Sequence, residues 1–156
     1  MEKTAKLAIL TKIANELNAE GITWAIGSSS LLYLKGLVDE FNDFDLFVKL
    51  EDTNRLIAIF DRLGKRQPDR NDAINFSTTH FLEYIVDDLE IDIMADFGIK
   101  YQGQEYIYPV EQYIVETYDL NGTKIPMTSL KMWQECYRLM GRVAKADLLD
   151  EYFNNN

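Results

Sequence analysis

Hydrophobic positions in the first half of the chain recur at helical spacing in some stretches and at strand spacing in others. An apolar stripe near the N-terminus predicts a first helix, formed by Leu7, Leu10, Ile13, Ala14 and Leu17. Residues Thr23 to Ile26 predict a short buried strand that ends at Gly27. Ser28 to Ser30 then predict the start of a helix that runs to about Leu34, and Asp43 to Leu50 predict the next strand.

The middle of the chain predicts one helix, a polar loop and three strands. A helix with one apolar face is predicted to begin at Asp52 or Thr53 and to stop at Gly64. The polar segment Lys65 to Asp72 predicts a loop. Three strands are predicted to follow, near Ile74–Ser77, His80–Val86 and Leu89–Met94. In the last of these, Ile91 and Ile93 face one way, whereas Glu90, Asp92 and Met94 face the other.

Hairpins and helices are predicted for the rest. The segment "GIKYQGQEYIYP" favours a hairpin, and Val115 to Ile125 favours a second one with Asn121-Gly122 at its turn. A helix is predicted from Ser129, with Gly141 breaking it before a final helix. The order of elements predicts a single α/β (α+β) domain over residues 1–156: a mixed sheet with helices on one face, followed by C-terminal helices.

Composition narrows the possible ligands. The chain has 26 acidic and 16 basic residues, a formal net charge of −10, which disfavours broad binding of nucleic acid or an anionic membrane. A single Cys and a single His exclude an internal disulfide and a Cys/His zinc site. Any metal site must therefore use oxygen ligands, which suits Mg²⁺, Mn²⁺ or Ca²⁺. The N-terminus lacks a signal-peptide core and no run reaches transmembrane length, so we expect a cytoplasmic protein.

Two aspartates within an apolar strand are the strongest chemical signal. In "DFDLFV", Asp43 and Asp45 lie two residues apart and leave the same face of the strand. Asp92 on a later strand could join them if the two strands are neighbours. Three such carboxylates suit metal-dependent phosphoryl or nucleotidyl transfer. In a chain this acidic the acid-x-acid spacing also occurs by chance, Glu90 shares the face of Asp92, and solvated aspartates that bind nothing are the alternative.

The Gly-Ser turn before the short helix is a second, weaker signal. Gly27 allows close approach of a ligand to the backbone, Ser28 can bond a phosphate oxygen, and a helix N-terminus favours anions. The ordinary alternative is a strand-to-helix turn with a plain cap.

Together, "IGSS", "LLYLKG", "DFDLFV" and "LEIDIMADF" resemble the minimal nucleotidyltransferases of the polymerase-beta-like superfamily. The resemblance spans Ile22 to Met94. It implies that Gly27, Ser28 and Ser29 contact the triphosphate of an NTP, with ATP favoured. It further implies that Asp43, Asp45 and Asp92 are catalytic and bind Mg²⁺ or Mn²⁺.

The later segment "GTKIPMTSLKMWQECYRLMGRVAKADLLD" resembles small antibiotic nucleotidyltransferases and nucleotidyltransferase toxins of abortive-infection systems. This resemblance implies that Lys131 and Arg142 face the nucleotide. On a helix, the basic side chains would share one side: Lys131, Arg138, Arg142 and Lys145. The favoured alternative to nucleotide binding is that this side is an ordinary solvated face, with Glu135 paired to Arg138.

The function predicted from these signals is transfer of a nucleoside monophosphate to a hydroxyl. The acidic balance favours a cationic small-molecule acceptor over nucleic acid, and a homodimer or a protein partner is left open. The acidic segment "VDEFND" supports a different function, that of an inactive protein with this fold that binds or regulates, such as a toxin-antitoxin component.

Overall fold

A computed structural model describes residues 1–69 and 75–156 as five helices, nine strands and two short 3₁₀ turns. The helices are α1 (Lys3–Ala19), α2 (Ser28–Leu34), α3 (Thr53–Leu63), α4 (Leu130–Leu139) and α5 (Val143–Asn154). The strands are β1 (Trp24–Gly27), β2 (Phe44–Val48), β3 (Lys65–Arg66), β4 (His80–Val86), β5 (Leu89–Ala95), β6 (Phe97–Tyr101), β7 (Gln104–Tyr108), β8 (Ile114–Leu120) and β9 (Thr123–Thr128). Within the described ranges no helix has the length and apolar character needed to cross a bilayer.

Seven of the strands form one mixed sheet in the order β3-β4-β5-β2-β1-β9-β8. β2 runs parallel to β5 and antiparallel to β1, and β4 and β5 form an antiparallel hairpin. The remaining two strands, β6 and β7, form a separate hairpin. This mixed α/β architecture confirms the predicted fold class.

One face of the sheet carries the main hydrophobic core. Ile26, Leu46, Ile91 and Ile93 are fully buried and lie on this face, because side chains alternate along each strand. Helix α3 covers part of it, since the Phe60 ring packs against the ring of Tyr84 at 5.2 Å between centroids. Helix α1 lies beside α3 and contributes four fully buried apolar side chains, Leu10, Ile13, Ala14 and Leu17. The apolar stripe read from the sequence is therefore a core stripe.

Helix α4, the first of the two C-terminal helices, packs on the opposite face of the sheet. Its Trp133 ring lies 5.4 Å from the ring of Phe47 and 5.8 Å from that of Phe97, measured between centroids. The indole Nε1 donates to Thr128 Oγ1 at 2.8 Å, and that hydroxyl donates to the carbonyl of Ile26 at 2.9 Å. A buried hydrogen-bonded chain thus fixes the indole over the end of β1.

Several boundaries match the sequence-based prediction and two do not. The strand His80–Val86 and the helix Ser28–Leu34 are confirmed, as is the helix break at Gly141, whose φ is +72°. Lys65 and Arg66 were predicted as loop but form a short edge strand, because their backbone pairs with Ile85 and Tyr84 of β4. The predicted strand at 74–77 is wrong over residues 75–77, where Phe76 makes one isolated bridge to Ile99. The prediction for Ile74 lies outside the described residues.

Gly27 provides a test of the packing at the end of β1. A Cβ at this position would lie 2.5 Å from Trp133 Cζ2 and 2.7 Å from Phe47 Cε2. The backbone itself is extended, with φ −150°, so the cost of a side chain is steric only. We expect Gly27→Ala to lower the free energy of unfolding by about 1–3 kcal/mol in urea titrations.

A double-mutant cycle with Trp133→Leu supplies the control for this prediction. The smaller side chain removes the indole atoms nearest to the new methyl group, so the cost of Gly27→Ala should fall in that background. An equal cost in both backgrounds would show that the indole does not set the requirement for glycine.

Candidate functional site

Three carboxylates and a glycine form a row across four neighbouring strands of the sheet. Gly27 of β1 pairs with Asp45 of β2, Asp45 pairs with Asp92 of β5, and Asp92 pairs with Glu83 of β4. Directly paired residues present their side chains to the same face, so the three carboxyl groups belong to one surface. This face is opposite the core of Ile91 and Ile93. Asp43 lies two residues before Asp45, immediately ahead of β2.

Asp45 is the central group of this row, and its surroundings disfavour its charge. Desolvation by burial, followed by the nearby carboxylates of Asp43 and Asp92, raises the pKa of Asp45 to about 7. A hydrogen bond from Ser28 and the charge of Lys145 act in the opposite direction and offset part of the increase. Like charges are therefore held together with only partial compensation from the protein.

The Gly-Ser turn approaches Asp45 from β1. Ser28 adopts a left-handed conformation, with φ +59°, where β1 passes into α2. Its hydroxyl lies 3.3 Å from the Tyr137 hydroxyl of α4 and hydrogen-bonds the carboxylate of Asp45. A positive φ at a non-glycine residue is uncommon and clusters at functional sites. The strain is consistent with a turn shaped for a ligand.

Lys145 of α5 brings a positive charge to the same place. Its ammonium group donates a hydrogen bond to the hydroxyl of Ser29. Burial, and then the positive charge of Arg142, lowers the pKa of Lys145, while the carboxylates of Asp45 and Asp43 oppose that change. Two cationic residues from the start of α5 thus stand beside the two aspartates of "DFD".

A cavity of about 310 Å³ opens beside this row. Its polar lining consists of Ser28, Asp45, Asp69, Asp92 and Arg142. The rest of its wall is aromatic or contains methionine: Phe47, Phe76, Phe81, Met94, Phe97, Trp133 and Met140. A cavity with a few converging polar groups and a titratable group of perturbed pKa is the usual form of a binding or active site.

The structure brings together most of the residues that the sequence singled out. Asp45, Asp92, Ser28 and Arg142 line the cavity, Asp43 stands beside Asp45, and Ser29 contacts Lys145. Gly27 lies in the same row, but the space above its Cα is filled by Trp133 and Phe47, so packing explains this glycine more directly than a ligand does.

Lys131 is not brought to the cavity. Its ammonium group lies 4.0 Å from the centroid of the Phe153 ring and 3.4 Å from Gln134 Oε1. The predicted pairing of Arg138 with Glu135 is also wrong: Arg138 instead bonds Asp147 at 2.7 Å and contacts Asp150. The continuous basic face does not form because the chain turns at Gly141, between Arg138 and Arg142.

Two functional candidates were missed from the sequence. Lys145 was one member of a basic stripe, and only the packing of α5 against α2 distinguishes it. The signal in the sequence that could have found it is its position three residues after Arg142, on the same side of the helix break at Gly141. The second is the aromatic and methionine part of the cavity wall, for which the sequence carries no signal, because apolar residues at strand spacing predict burial and not a cavity.

The donor set fits a divalent cation that shares its ligands with a substrate. Within residues 1–69 and 75–156, no three Asp, Glu, His or Cys side chains cluster tightly enough to form a metal cage by themselves. Mg²⁺ normally uses one or two carboxylates and completes its shell with phosphate oxygens and water. Asp43 and Asp45 supply such a pair. Burial, and then the repulsion from Asp43 and Asp92, raises the pKa of Asp45, and a bound cation would stabilise the charged carboxylate against both effects.

A mixed sheet that carries an Asp pair behind a Gly-Ser turn defines a nucleotidyltransferase-type fold. The chain belongs to the aminoglycoside-2''-adenylyltransferase family, whose sequence model matches residues 9–151, and it is a nucleotidyltransferase. A comparison with curated proteins gave no match.

Solved structures agree with this assignment. TM1012 of Thermotoga maritima, a protein assigned to the nucleotidyltransferases, is 26% identical with a TM-score of 0.78, over 100% of this chain and 97% of that one. The lincosamide antibiotic adenylyltransferase LnuA, solved with lincomycin, is 15% identical with a TM-score of 0.62, over 92% of this chain and 95% of that one. ANT(2'')-Ia, solved with adenylyl-2''-tobramycin, is 12% identical with a TM-score of 0.62, over 96% of this chain and 90% of that one. The last two share the fold.

The raised pKa of Asp45 predicts an unusual effect of its removal on stability. The folded protein keeps a proton on Asp45 up to about pH 7, whereas the unfolded chain loses it near the ordinary value of 3.8. Stability therefore falls as the pH rises between these two values, because the folded state binds the extra proton. In chelator-treated protein, we expect Asp45→Asn to raise the melting temperature at about pH 8, with the gain shrinking toward about pH 4.

Thermal unfolding across this pH range checks the prediction. Asp88→Asn, at an exposed position in the turn between β4 and β5, is the matched control and should shift the melting temperature little at any pH. A variant of Asp45 that is less stable than wild type at about pH 8 would contradict the pKa increase.

Proposed function

We propose that this protein transfers a nucleoside monophosphate from an NTP, with ATP favoured, to a hydroxyl of a small molecule, with Mg²⁺ or Mn²⁺ as cofactor. The observation that carries the proposal is the pairing of Asp45 with Asp92 on neighbouring parallel strands, with Lys145 and the Ser28-Ser29 turn beside them. This arrangement combines carboxylates for a cation with donors for phosphate oxygens.

The phosphates are assigned to the side of Asp45 that faces β1 and α2. Ser28 and Ser29 offer hydroxyl groups there, and Lys145 and Arg142 offer positive charge. Lysine and arginine form charge-assisted hydrogen bonds to phosphate that are stronger than neutral ones. Arg142 is exposed and lines the cavity, so it can contact a ligand without first breaking a buried contact.

The reaction exchanges one bond at phosphorus for another. The acceptor hydroxyl oxygen forms a bond to the α-phosphorus, the bond from that phosphorus to the bridging oxygen of the β-phosphate breaks, and pyrophosphate leaves. Asp92 takes the proton of the hydroxyl, and Asp43 and Asp45 would hold the cation. When bound, the cation supplies neutralisation of negative charge on the phosphate oxygens. Lys145 and Arg142 stabilise the departing pyrophosphate.

A small-molecule acceptor is favoured by the charge of the chain and by its relatives. The formal net charge of −10 opposes the approach of nucleic acid. LnuA and ANT(2'')-Ia are both solved with antibiotic-derived small molecules. In the acidic segment that supported an inactive protein, Asp39 and Glu40 are exposed and lie outside the cavity lining. Lys3 donates to the carbonyl of Asp39, and Lys6 donates to that of Phe41. Only the last residue of the segment, Asp43, stands beside Asp45.

Calorimetric titration with ATP, with and without Mg²⁺, tests the proposal. We expect metal-dependent binding by wild type that is lost in Asp43→Asn/Asp45→Asn. We also expect pyrophosphate release with an accepted hydroxyl compound to fall roughly 100-fold or more in Asp45→Asn. Asp88→Asn is the control for a lost surface charge. Metal-dependent binding of ATP without turnover of any acceptor would favour the inactive, regulatory alternative, and no binding of any NTP would overturn the proposal.

Lys145 provides a separate prediction for the phosphate side. We expect Lys145→Gln to weaken binding of Mg²⁺-ATP about tenfold or more, because it removes a charged hydrogen bond to phosphate. The matched control is Lys124→Gln on the exposed face of β9, which removes the same charge far along the sheet. Calorimetry measures both. Equal weakening in the two variants would show a general effect of net charge.

A further inference from the structure

A second row of side chains lies next to the carboxylates and is entirely apolar. Two residues along each strand from Asp45 and Asp92 stand Phe47 and Met94, and they are paired in register. Met94 is in turn paired with Phe81 of β4. Because residues two apart on a strand share a face, this row lies on the same surface as the carboxylates, about 7 Å away.

More apolar groups extend this row into the wall of the cavity. The centroid of the Phe97 ring lies 5.2 Å from that of Phe47, in an edge-to-face contact, and 6.0 Å from that of Phe76. Trp133 and Met140 come from the α4 side. Phe76, Phe81 and Met140 are only partly buried, so they keep surface that a ligand can cover. In the described lining, Asp69 is the one carboxylate besides Asp45 and Asp92.

The acceptor belongs on this apolar side. The strand order β4-β5-β2-β1 places Asp45 between Asp92 and Phe81 on one side and the Ser28-Ser29 turn on the other. In-line displacement requires that the attacking oxygen and the leaving pyrophosphate lie on opposite sides of the phosphorus. If Lys145 and the serines hold the pyrophosphate, the attacking hydroxyl arrives over Asp92, next to Phe81 and Met94.

We propose that the acceptor of this enzyme is a hydroxylated small molecule with an apolar or aromatic group that packs on Phe81, Met94 and Phe97. The inference rests on the proposed nucleotidyl transfer and specifies its substrate class. A polycation such as an aminoglycoside would have to lose its hydration against these three side chains, which offer it no strong hydrogen-bond acceptor. An apolar or aromatic group instead gains by leaving water there. The cavity, with about 310 Å³, has room for one such group.

Saturation-transfer NMR with two matched probes tests this class of acceptor. Phenyl β-D-glucopyranoside and methyl β-D-glucopyranoside carry the same sugar hydroxyls and differ in the aromatic ring. The protein is first saturated with Mg²⁺ and α,β-methylene-ATP, whose binding is measured by calorimetry. We expect saturation of the phenyl protons, at least fivefold weaker saturation of the methyl glycoside, and no displacement of the phenyl probe by tobramycin.

Variants locate the signal. We expect Phe81→Ala to reduce saturation of the phenyl probe at least threefold, and Tyr101→Ala, which removes an exposed aromatic ring on β6, to leave it unchanged. Met140→Ser serves the same purpose if Phe81→Ala does not fold. Absence of the phenyl signal, or a signal that none of the cavity variants reduces, overturns the inference.

The measurements with the nucleotide analogue distinguish failure of this inference from failure of the proposed function. If α,β-methylene-ATP binds but displaces the phenyl probe, the aromatic wall holds the nucleobase and the inference is overturned while nucleotide binding stands. Displacement of the probe by tobramycin would assign the wall to a polycationic acceptor. If the analogue does not bind with Mg²⁺, the proposed function fails, and with it the premise of this inference.

Discussion

The pairing of β2 with β5 is the constraint on which the site depends. It sets Asp45 against Asp92 on one face and Leu46 against Ile93 on the other, in a single register. A slip by one residue would bury the carboxylates among α1 and α3 and expose Leu46 and Ile93. Burial of the apolar partners stabilises the register by about 1.5–3 kcal/mol for each fully buried side chain. That gain outweighs the repulsion between the carboxylates, which face a partly solvated cavity.

A second constraint joins the C-terminal helices to the sheet. Trp133 occupies the space over Gly27, and its indole is hydrogen-bonded through Thr128 to the backbone of β1. Helix α4 is therefore fixed at the strand that leads into the Gly-Ser turn. The left-handed Gly141 then redirects the chain, so that α5 begins beside α2 and brings Lys145 to Ser29. The positive charges of the site are therefore positioned by packing at the β1 end of the carboxylate row.

The fold and the carboxylate row were accessible from the sequence because both follow from local rules. Alternation along β5 put Asp92 opposite Ile91 and Ile93, and the two-residue spacing put Asp43 and Asp45 on one side. What the sequence could not supply was the neighbour of each strand and the path after Gly141. The assignment of Lys131, which the structure does not bring to the cavity, shows the difficulty: a basic residue on a helix gives no sign of whether its face meets solvent, another helix or a ligand. The edge strand at Lys65 and Arg66 was missed for a related reason, since its formation depends on the exposed backbone of β4.

Net charge and local environment lead to different expectations about the acceptor, and the local environment has the stronger physical basis. The formal charge of −10 acts on any approaching molecule over about 8–10 Å at ordinary ionic strength, and it favours cations in general. Affinity in a cavity is decided by contacts at van der Waals distance, and most of the residues that line this cavity are aromatic or methionine. Most of the acidic excess lies on exposed positions, where each charge is hydrated and screened. The overall charge can therefore raise the rate of encounter with a cationic molecule, while Phe81, Met94 and Phe97 determine which part of a bound acceptor is held beside Asp92.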